Sequence, residues 1–436
     1  MNKLVITSTL LLTFFINISA QKLNINSFIE LVKKNNKDIL IAVKDLEAAE
    51  ATEDEARSNA FPQINAKADY SRNLKDSYLY VVFPNPQTGV IEEQKFKMTY
   101  KNNFNLQAAL SQQIFNATVF NAIKAAKQYA KLSDYIYDAT IDGVITGSKK
   151  AFYQTLLLRE VWEVSKAAEE SAEENYESIK NKFDQGLVSE FQLLQAEVRW
   201  KNLMPETTKS KRNYQLALNS LKMLAGISVE KELHIEGDFS TYPAQPEKYD
   251  IETVLAQRPD FNALQWEMNL RETNISVEQS GHYPLLYGSF AYQYSSMSDQ
   301  FKLERENNVL MAGLTLQIPI FSGWAVSSRV QKAEIEFDKS RLKIEKAKDE
   351  IHTEIKNLSL KLTEASNRIT AAEQTLHTAE KAFGIAEASA NNGLATQLEL
   401  KDTRVAFDQA QLNFYSSVYD YLAAYYDWEL ANGMVW

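Results

Sequence analysis

From Val326 onward a small or apolar residue recurs in steps of four and three, through Val330, Ala333, Phe337, Ser340, Ile344, Ala347 and Ile351. After one extra step of four the rhythm runs on through Ile355, Leu358, Leu362, Ala365, Ile369, Ala372, Leu376, Ala379, Phe383, Ala386 and Ala390. A seam that repeats every seven residues over about nine heptads, with one four-residue stutter, predicts a long helix packed side by side against partners. At 1.5 Å of rise per residue it is roughly 100 Å long. Ala365, Ala372, Ala379 and Ala386 share one edge of the seam, which keeps that edge thin enough for close helix approach. Gly393 accepts the left-handed conformation that stops a helix, and Thr396 can cap a second helix returning toward Trp428. The stretch from 320 to 436 has no proline and reads as a long helical hairpin with a sharp tip at Asn392-Gly393-Leu394.

Four other segments alternate with period two, as strands do when one face is apolar and the other wet. Ile64, Ala66, Ala68 and Tyr70 oppose Gln63, Asn65, Lys67, Asp69 and Ser71. Phe104, Leu106, Ala108, Leu110 and Ile114 oppose Asn105, Gln107, Ala109, Ser111 and Gln113. Leu286, Phe290, Tyr292 and Tyr294 oppose Ser289, Ala291, Gln293 and Ser295, and Leu310, Leu314, Leu316, Ile318 and Ile320 oppose Gly313, Thr315 and Gln317. Such tyrosine- and phenylalanine-rich segments suit a membrane barrel. A soluble half-buried sheet is the other reading, but it needs a covering layer, and the helices already look committed to one another. The connections near Pro84-Asn85-Pro86-Gln87-Thr88-Gly89 and from Ser296 to Asn308 read as exposed loops.

The chain is an internal duplication. At a constant offset, Glu30 aligns with Glu252, Val32 with Val254, Asp38 with Asp260 and Phe61-Pro62 with Tyr283-Pro284; further on, Ile114-Phe115 matches Ile320-Phe321 and Gly186-Leu187 matches Gly393-Leu394. The first repeat is expected over 21–226, with strands near 61–75 and 103–115 and a helical hairpin over 117–225 turning near 186. The second is expected over 251–436, with strands near 283–296 and 309–321 and a hairpin over 323–432 turning near 393. Residues 227–250, with Gly237, Pro243 and Pro246, read as an irregular equatorial segment, and Pro205 should kink or interrupt the first returning helix.

Composition narrows the function. Met1 to Ala20 reads as a signal peptide, with Lys3, an apolar core from Leu4 to Ile18 and Ile18-Ser19-Ala20 before Gln21. A membrane anchor is the alternative, but the core is shorter than the roughly 20 residues of a spanning helix. The net charge of -10 argues against nucleic acid, and the absence of cysteine excludes disulfides, thiolate metal sites and a lipid anchor on an N-terminal cysteine. No cofactor and no metal site is expected: His234, His282, His352 and His377 lack metal-ligand spacing.

Four strands cannot close a barrel, because known barrels begin at about eight, so protomers must share one. Two copies would give eight strands and three would give twelve. Three protomers contributing about four helix lines each, spaced 8 to 10 Å, would form a tube of roughly 35 Å diameter. The fold class expected is mainly α with β, a long α-helical barrel of coiled-coil hairpins continued by a shared transmembrane β-barrel. Such an assembly is a conduit between two membranes.

At this level the chain resembles the TolC-like outer membrane efflux proteins. The resemblance rests on the duplication, on Asn35-Asn36-Lys37-Asp38 and Gln257-Arg258-Pro259-Asp260, on Pro62 and Pro284, on Ile320-Phe321-Ser322-Gly323 and on the Gly-Leu-x-Ser/Thr tips. It implies a homotrimer with a twelve-stranded barrel in outer membrane lipid and a periplasmic tunnel. It also implies a periplasmic adaptor, or membrane fusion protein, and an inner-membrane pump of RND or ABC type, in efflux or type I secretion. By likeness, Gly186, Leu187 and Ser189 with Gly393, Leu394 and Thr396 would meet the adaptor, although a tight turn alone accounts for them equally. Glu399 and Asp402 stand where the family carries acidic residues at the periplasmic entrance; a solvated helix face is the alternative. Gln192 occupies the place of Glu399 in the first copy, and Ala395 leaves no base beside the second tip, which puts a charged latch in doubt. An enzyme has no phosphate loop or nucleophile elbow to stand on. An exported coiled-coil stalk or adhesin would need neither returning helices nor two matching tips. The cargo is not legible.

Overall fold

The computed structural model describes residues 22–85, 87–246, 250–392 and 394–435. The signal segment and Gly393 lie outside the described residues. In chain order the first repeat contains β1 (Lys22–Leu23), α1 (Ile25–Asn35), α2 (Lys37–Ser58), β2 (Gln63–Arg72), β3 (Tyr78–Pro84), β4 (Ile91–Lys97), β5 (Asn102–Phe115), α3 (Ala117–Asp184) and α4 (Glu190–Leu224). Then come β6 (His234–Ile235), α5 (Ile251–Gln257), α6 (Pro259–Gln279), a 3-10 turn, β7 (Leu285–Ser298), β8 (Glu306–Gln317), α7 (Ala325–Asn391) and α8 (Gln397–Ala431). Two compact units cut across the repeats: one takes residues 1–44, 136–262 and 346–436, the other 45–135 and 263–345.

The second unit holds an antiparallel sheet in the order β2-β5-β7-β8. Its register keeps the alternation in phase across all four strands. Ile64 lies opposite Leu110 and Ala68 opposite Leu106; Leu106 lies opposite Tyr294 and Leu110 opposite Phe290; Tyr292 lies opposite Leu310 and Leu286 opposite Leu316. One face is therefore apolar and aromatic, and the other carries Asn65, Asn105, Gln107, Gln293 and Thr315. Ile318 and Ile320, expected in the last strand, follow its end. Among the described residues β2 and β8 each pair on one side only. No helix among them is long and apolar enough to cross a membrane.

The first connection differs from expectation. Instead of a plain loop, β3 and β4 form a separate two-stranded hairpin. It accounts for a length difference between the copies: 54 positions separate Phe61 from Phe115, and 38 separate Tyr283 from Phe321. Neither strand alternates: β3 reads Tyr-Leu-Tyr-Val-Val-Phe-Pro, a continuous apolar run, and β4 is mostly polar, so no period of two marked them.

In the first unit the seam is visible as burial. Ile351, Ile355, Leu362, Ala365, Ile369 and Ala386 on α7 are buried and Leu358, Ala372, Leu376, Ala379 and Phe383 are half-buried, while the residues between them are mostly exposed. The core that receives this face is built from Phe28, Val32, Phe152, Leu156, Leu221, Tyr421 and Leu422. Phe28 and Phe152 meet at 5.5 Å between ring centroids. Pro205 does not interrupt α4, which runs on to Leu224; Thr207 and Thr208 donate their hydroxyls to Leu203 O and Met204 O beside it. The equatorial segment is irregular except for β6, which pairs in parallel with β1.

Each repeat breaks its first helix at one residue, and both breaks are pinned in the same way. Asn36 separates α1 from α2; its amide donates to Leu224 O at 3.0 Å while its Oδ1 accepts from the Asp38 amide at 2.9 Å. Arg258 separates α5 from α6, donates to Ala431 O at 2.9 Å, forks onto Asp260 at 3.0 and 2.7 Å and reaches Glu354 at 2.9 Å. Burial alone would raise the Asp260 carboxyl, but Arg258 outweighs it and holds the group below its ordinary value. The left-handed glycines that end the returning helices lie on the same breaks. A Cβ on Gly226 would stand 2.8 Å from Asn35 Cβ, and one on Gly433 would stand 3.0 Å from the Gln257 carbonyl carbon. Only glycine fits both the conformation and the space.

Two substitutions test this unit. Ala365→Leu overpacks a buried seam position and should cost about 1 to 3 kcal/mol in chemical denaturation; an unchanged midpoint would mean the seam tolerates extra volume. Arg258→Met strips the Ala431 carbonyl and two half-exposed carboxylates of their donor and should cost about 2 kcal/mol, with Asn36→Ala showing a smaller loss of the same kind.

Candidate functional site at the helical tips

The first tip is made by backbone chemistry. At the end of α3, Gly186 takes φ +74°, its amide donates to Phe183 O and the Leu187 amide reaches back to Lys182 O, both at 2.8 Å. These are the paired bonds that close a helix on a left-handed residue. Ser189 then caps α4 in a reciprocal box: Gln192 N donates to Ser189 Oγ at 3.4 Å and Ser189 N to Gln192 Oε1 at 3.1 Å. At the second tip the Leu394 amide bonds Ser389 O at 2.8 Å, the same reach as Leu187 to Lys182. Thr396 caps α8 with Glu399: Glu399 N donates to Thr396 Oγ1 at 3.2 Å, while Thr396 N and its hydroxyl donate to Glu399 Oε2 at 2.7 and 2.8 Å.

The structure thus gives Glu399 a task that sequence reading did not assign. Its carboxylate closes the cap, and the Thr396 amide and hydroxyl hold it below its ordinary value. The same geometry explains why Gln192 stands at the matching place: an amide oxygen serves the box as a carboxylate does. Asp402 is exposed one turn further along α8. Among the described residues no cluster of His, Asp or Glu is arranged to hold a metal.

Above each tip a stacked aromatic pair sets the helix register. Tyr176 and Trp200 join α3 to α4 at 5.4 Å, and Phe383 and Phe407 join α7 to α8 at 5.7 Å. These are equivalent positions, at the spacing that relates Gly186 to Gly393. A cation covers each: Lys180 over Tyr176 and Arg404 over Phe383. Arg404 also binds Asp408 at 2.8 Å; burial raises that carboxyl although Arg404 and Arg199 oppose the shift.

The tips also present apolar side chains to solvent. Leu187 is 70% exposed and Leu394 84%, and the stripe continues through Phe191 and Val198 on α4 and their equivalents Leu398 and Val405 on α8. The sequence reading missed these four residues; the signal was an apolar residue four and eleven positions beyond each tip leucine, which continues a helical face past the cap.

The two caps should respond differently to acid. The folded Glu399 value is depressed, so its contribution is complete above the ordinary glutamate value of 4.5 and is lost as pH falls through the lower folded value. After correction for intrinsic rates, hydrogen exchange at the Glu399 and Leu400 amides should accelerate below that pH while Gln192 and Leu193 keep their protection. Equal loss at both tips would show that the carboxylate is not the cap's acceptor, and Glu399→Gln should abolish the difference.

The chain is similar to known proteins over most of its length. It is 21% identical over 319 residues to the outer membrane protein TolC of Vibrio cholerae, covering 72% of this chain and 68% of that protein. It is 20% identical over 316 residues to the alkaline protease secretion protein AprF of Pseudomonas aeruginosa, covering 71% of this chain and 63% of that one. The chain therefore spans about two thirds of the length of these relatives. Its fold superposes on the CmeC outer membrane channel of Campylobacter jejuni with a TM-score of 0.75 at 20% identity, over 94% of this chain and 86% of the other. The outer membrane efflux protein family matches residues 28–227 and 251–427, and with this duplicated strand-and-hairpin fold the chain belongs to that family of outer membrane channels.

Proposed function

We propose that the protein is the passive outer-membrane conduit of a tripartite efflux or type I secretion assembly. The observation that carries this reading is the four-stranded sheet of β2, β5, β7 and β8, apolar on one face and polar on the other, with both edges open. In lipid an open edge leaves backbone donors and acceptors unpaired, so β8 of one copy pairs with β2 of the next until the ring closes. Eight strands from two copies leave an interior that side chains fill; twelve strands from a homotrimer leave a lumen. The polar face lining that lumen is dominated by Asn, Gln and Ser, and its Lys67 and Asp69 neutralise one another at 3.0 Å. Charge selection in the barrel is accordingly weak.

The periplasmic end is the tips. Leu187, Phe191, Leu394 and Leu398, beside the turns at Gly186, Ser189, Gly393 and Thr396, offer apolar contacts to a periplasmic adaptor, and the adaptor couples the channel to an inner-membrane pump of RND or ABC type. Six carboxylates from Glu399 and Asp402 of three chains form the acidic entrance.

Two measurements check this. Detergent-extracted protein should be a trimer by native mass spectrometry and should give discrete conductance steps in a planar bilayer; a monomer without conductance would remove the shared barrel. Multivalent cations on the periplasmic side should block the current. Glu399→Gln with Asp402→Asn keeps the cap and should relieve the block; an unchanged block would place these carboxylates away from the conduction path.

A further inference from the structure

The connection from β7 to β8 does more than turn. Residues 299–305 fold back across the sheet, so that the Phe301 ring packs 5.5 Å from Tyr70 on β2 and 5.5 Å from Phe104 on β5. Those two rings lie directly opposite each other at 5.1 Å, on the face that carries Leu106 and Phe290. At this end the same face turns polar. Asn102, Ser296 and Ser298 stand on it, each at most 1% exposed, because the connection lies over them. Ser298 Oγ bonds the Glu304 carboxylate at 2.7 Å and accepts from the Gln300 amide at 3.1 Å, the Ser296 hydroxyl donates to Glu304 O, and the Tyr70 hydroxyl donates to Asn102 Oδ1 at 2.9 Å.

The connection is fixed at both ends. The Asp299 carboxylate accepts from the Lys97 ammonium at 2.9 Å and from the Lys101 amide at 3.1 Å, and the Arg305 guanidinium lies 4.4 Å from the Tyr100 ring centroid. Phe301 nevertheless remains 73% exposed. A pinned segment thus holds an aromatic ring outward at the rim of an apolar face.

That face is continuous and bounded at its other end as well. Ile64, Leu106, Phe290, Leu310 and Leu314 are exposed on it, whereas among the described residues the other face exposes only Met297 and Met311 as large apolar side chains. At the far end Phe61 precedes β2, and a register shift after Gln113 sets Phe115 opposite Leu286, with Phe120 beside it at 6.2 Å. Nine positions separate Phe61 from Tyr70, and eleven separate Phe104 from Phe115. At about 3.4 Å per residue these spans are roughly 31 and 37 Å along the strands. A tilt of about 40° reduces them to roughly 23 and 29 Å along the membrane normal, against an apolar band of about 25 Å in outer-membrane barrels.

We infer that the β7–β8 connection is an interfacial anchor: Phe301, seated on Tyr70 and Phe104, lies at the outer boundary between acyl chains and headgroups and sets the depth of the barrel. The inference rests on the barrel reading above, in which this face meets lipid. The ring triad continues that face, so the hydrocarbon that covers Leu106 and Phe290 reaches it. Asp299, Lys302, Glu304 and Arg305 on the same connection need water, which places the segment at the boundary and no deeper.

The chain has no cysteine, so a nitroxide label can be placed at one position at a time. Full-length protein carrying Gln300→Cys, Leu314→Cys or Thr315→Cys is labelled and reconstituted into phosphatidylcholine vesicles. Collisions of each label with oxygen, which concentrates in hydrocarbon, and with a water-soluble nickel chelate are then measured. The label at 314 should meet mainly oxygen, the label at 315 mainly nickel, and the label at 300 should fall between them. Adding Phe301→Asp to the Gln300→Cys protein should raise its nickel collisions several-fold, and adding Phe301→Trp should not. With the label at 314 in hydrocarbon, three results overturn the anchor and leave the barrel standing: a label at 300 as open to nickel as that at 315, one screened from both reagents, or one unmoved by Phe301→Asp. A label at 314 that meets nickel instead overturns the barrel reading itself.

Discussion

A strand in hydrocarbon must find a partner for every backbone N–H and C=O, and among the described residues β2 and β8 each leave one row open. The most consequential property of the molecule follows from that constraint. The sheet is already committed to lipid on one face by Ile64, Leu106, Phe290 and Leu314, so it cannot hide its edges by rolling under a covering helix. It can only continue into another copy. Sharing a barrel fixes the number of strands in units of four, and a lumen becomes a matter of how many copies close the ring.

The duplicated junctions pin each returning helix to the break in the first helix of its own repeat, within one compact unit. Asn36 and Arg258 hold equivalent carbonyls of the two returning helices with different chemistry, one by a single neutral amide and one by a forked cation. Gly226 and Gly433 lie against the two breaks so closely that no side chain could be added. The two repeats converge on one geometry because the backbone requires it: a helix end and a helix break meet, and each carries orphaned polar groups that only local partners can reach.

What was legible in the sequence follows from range. The seam on α7 and the alternation in four strands are local periodicities, and the structure buries Ile355, Leu362 and Ile369 and keeps the strand faces in phase as those periods require. The helix breaks were not legible, because Asn36 finds its partner at Leu224 and Arg258 finds one at Ala431, contacts that no window of sequence contains. The β3–β4 hairpin was missed because neither Tyr-Leu-Tyr-Val-Val-Phe-Pro nor the mostly polar β4 alternates with period two. The stacked pairs at the tips were missed because a single aromatic in a heptad seam looks like any other core residue until its partner on the returning helix is known.

The tips show how duplication allows one copy to be specialised while the other preserves the turn. Both use a hydroxyl cap and an acceptor at the third helical position; Ser189 with Gln192 meets these requirements without charge, and Thr396 with Glu399 meets them with one. Since either side chain completes the box, the cap does not decide between them, and the charge at Glu399 is free to be set by whatever the tip faces. A carboxylate there is tolerated because the helix N-terminus and the Thr396 donors stabilise it, so this tip carries a charge without loosening its cap. The charge and the cap of the second tip are therefore coupled: acid that protonates Glu399 also removes the anion that closes its cap, while the first cap, closed by a neutral amide, is independent of pH.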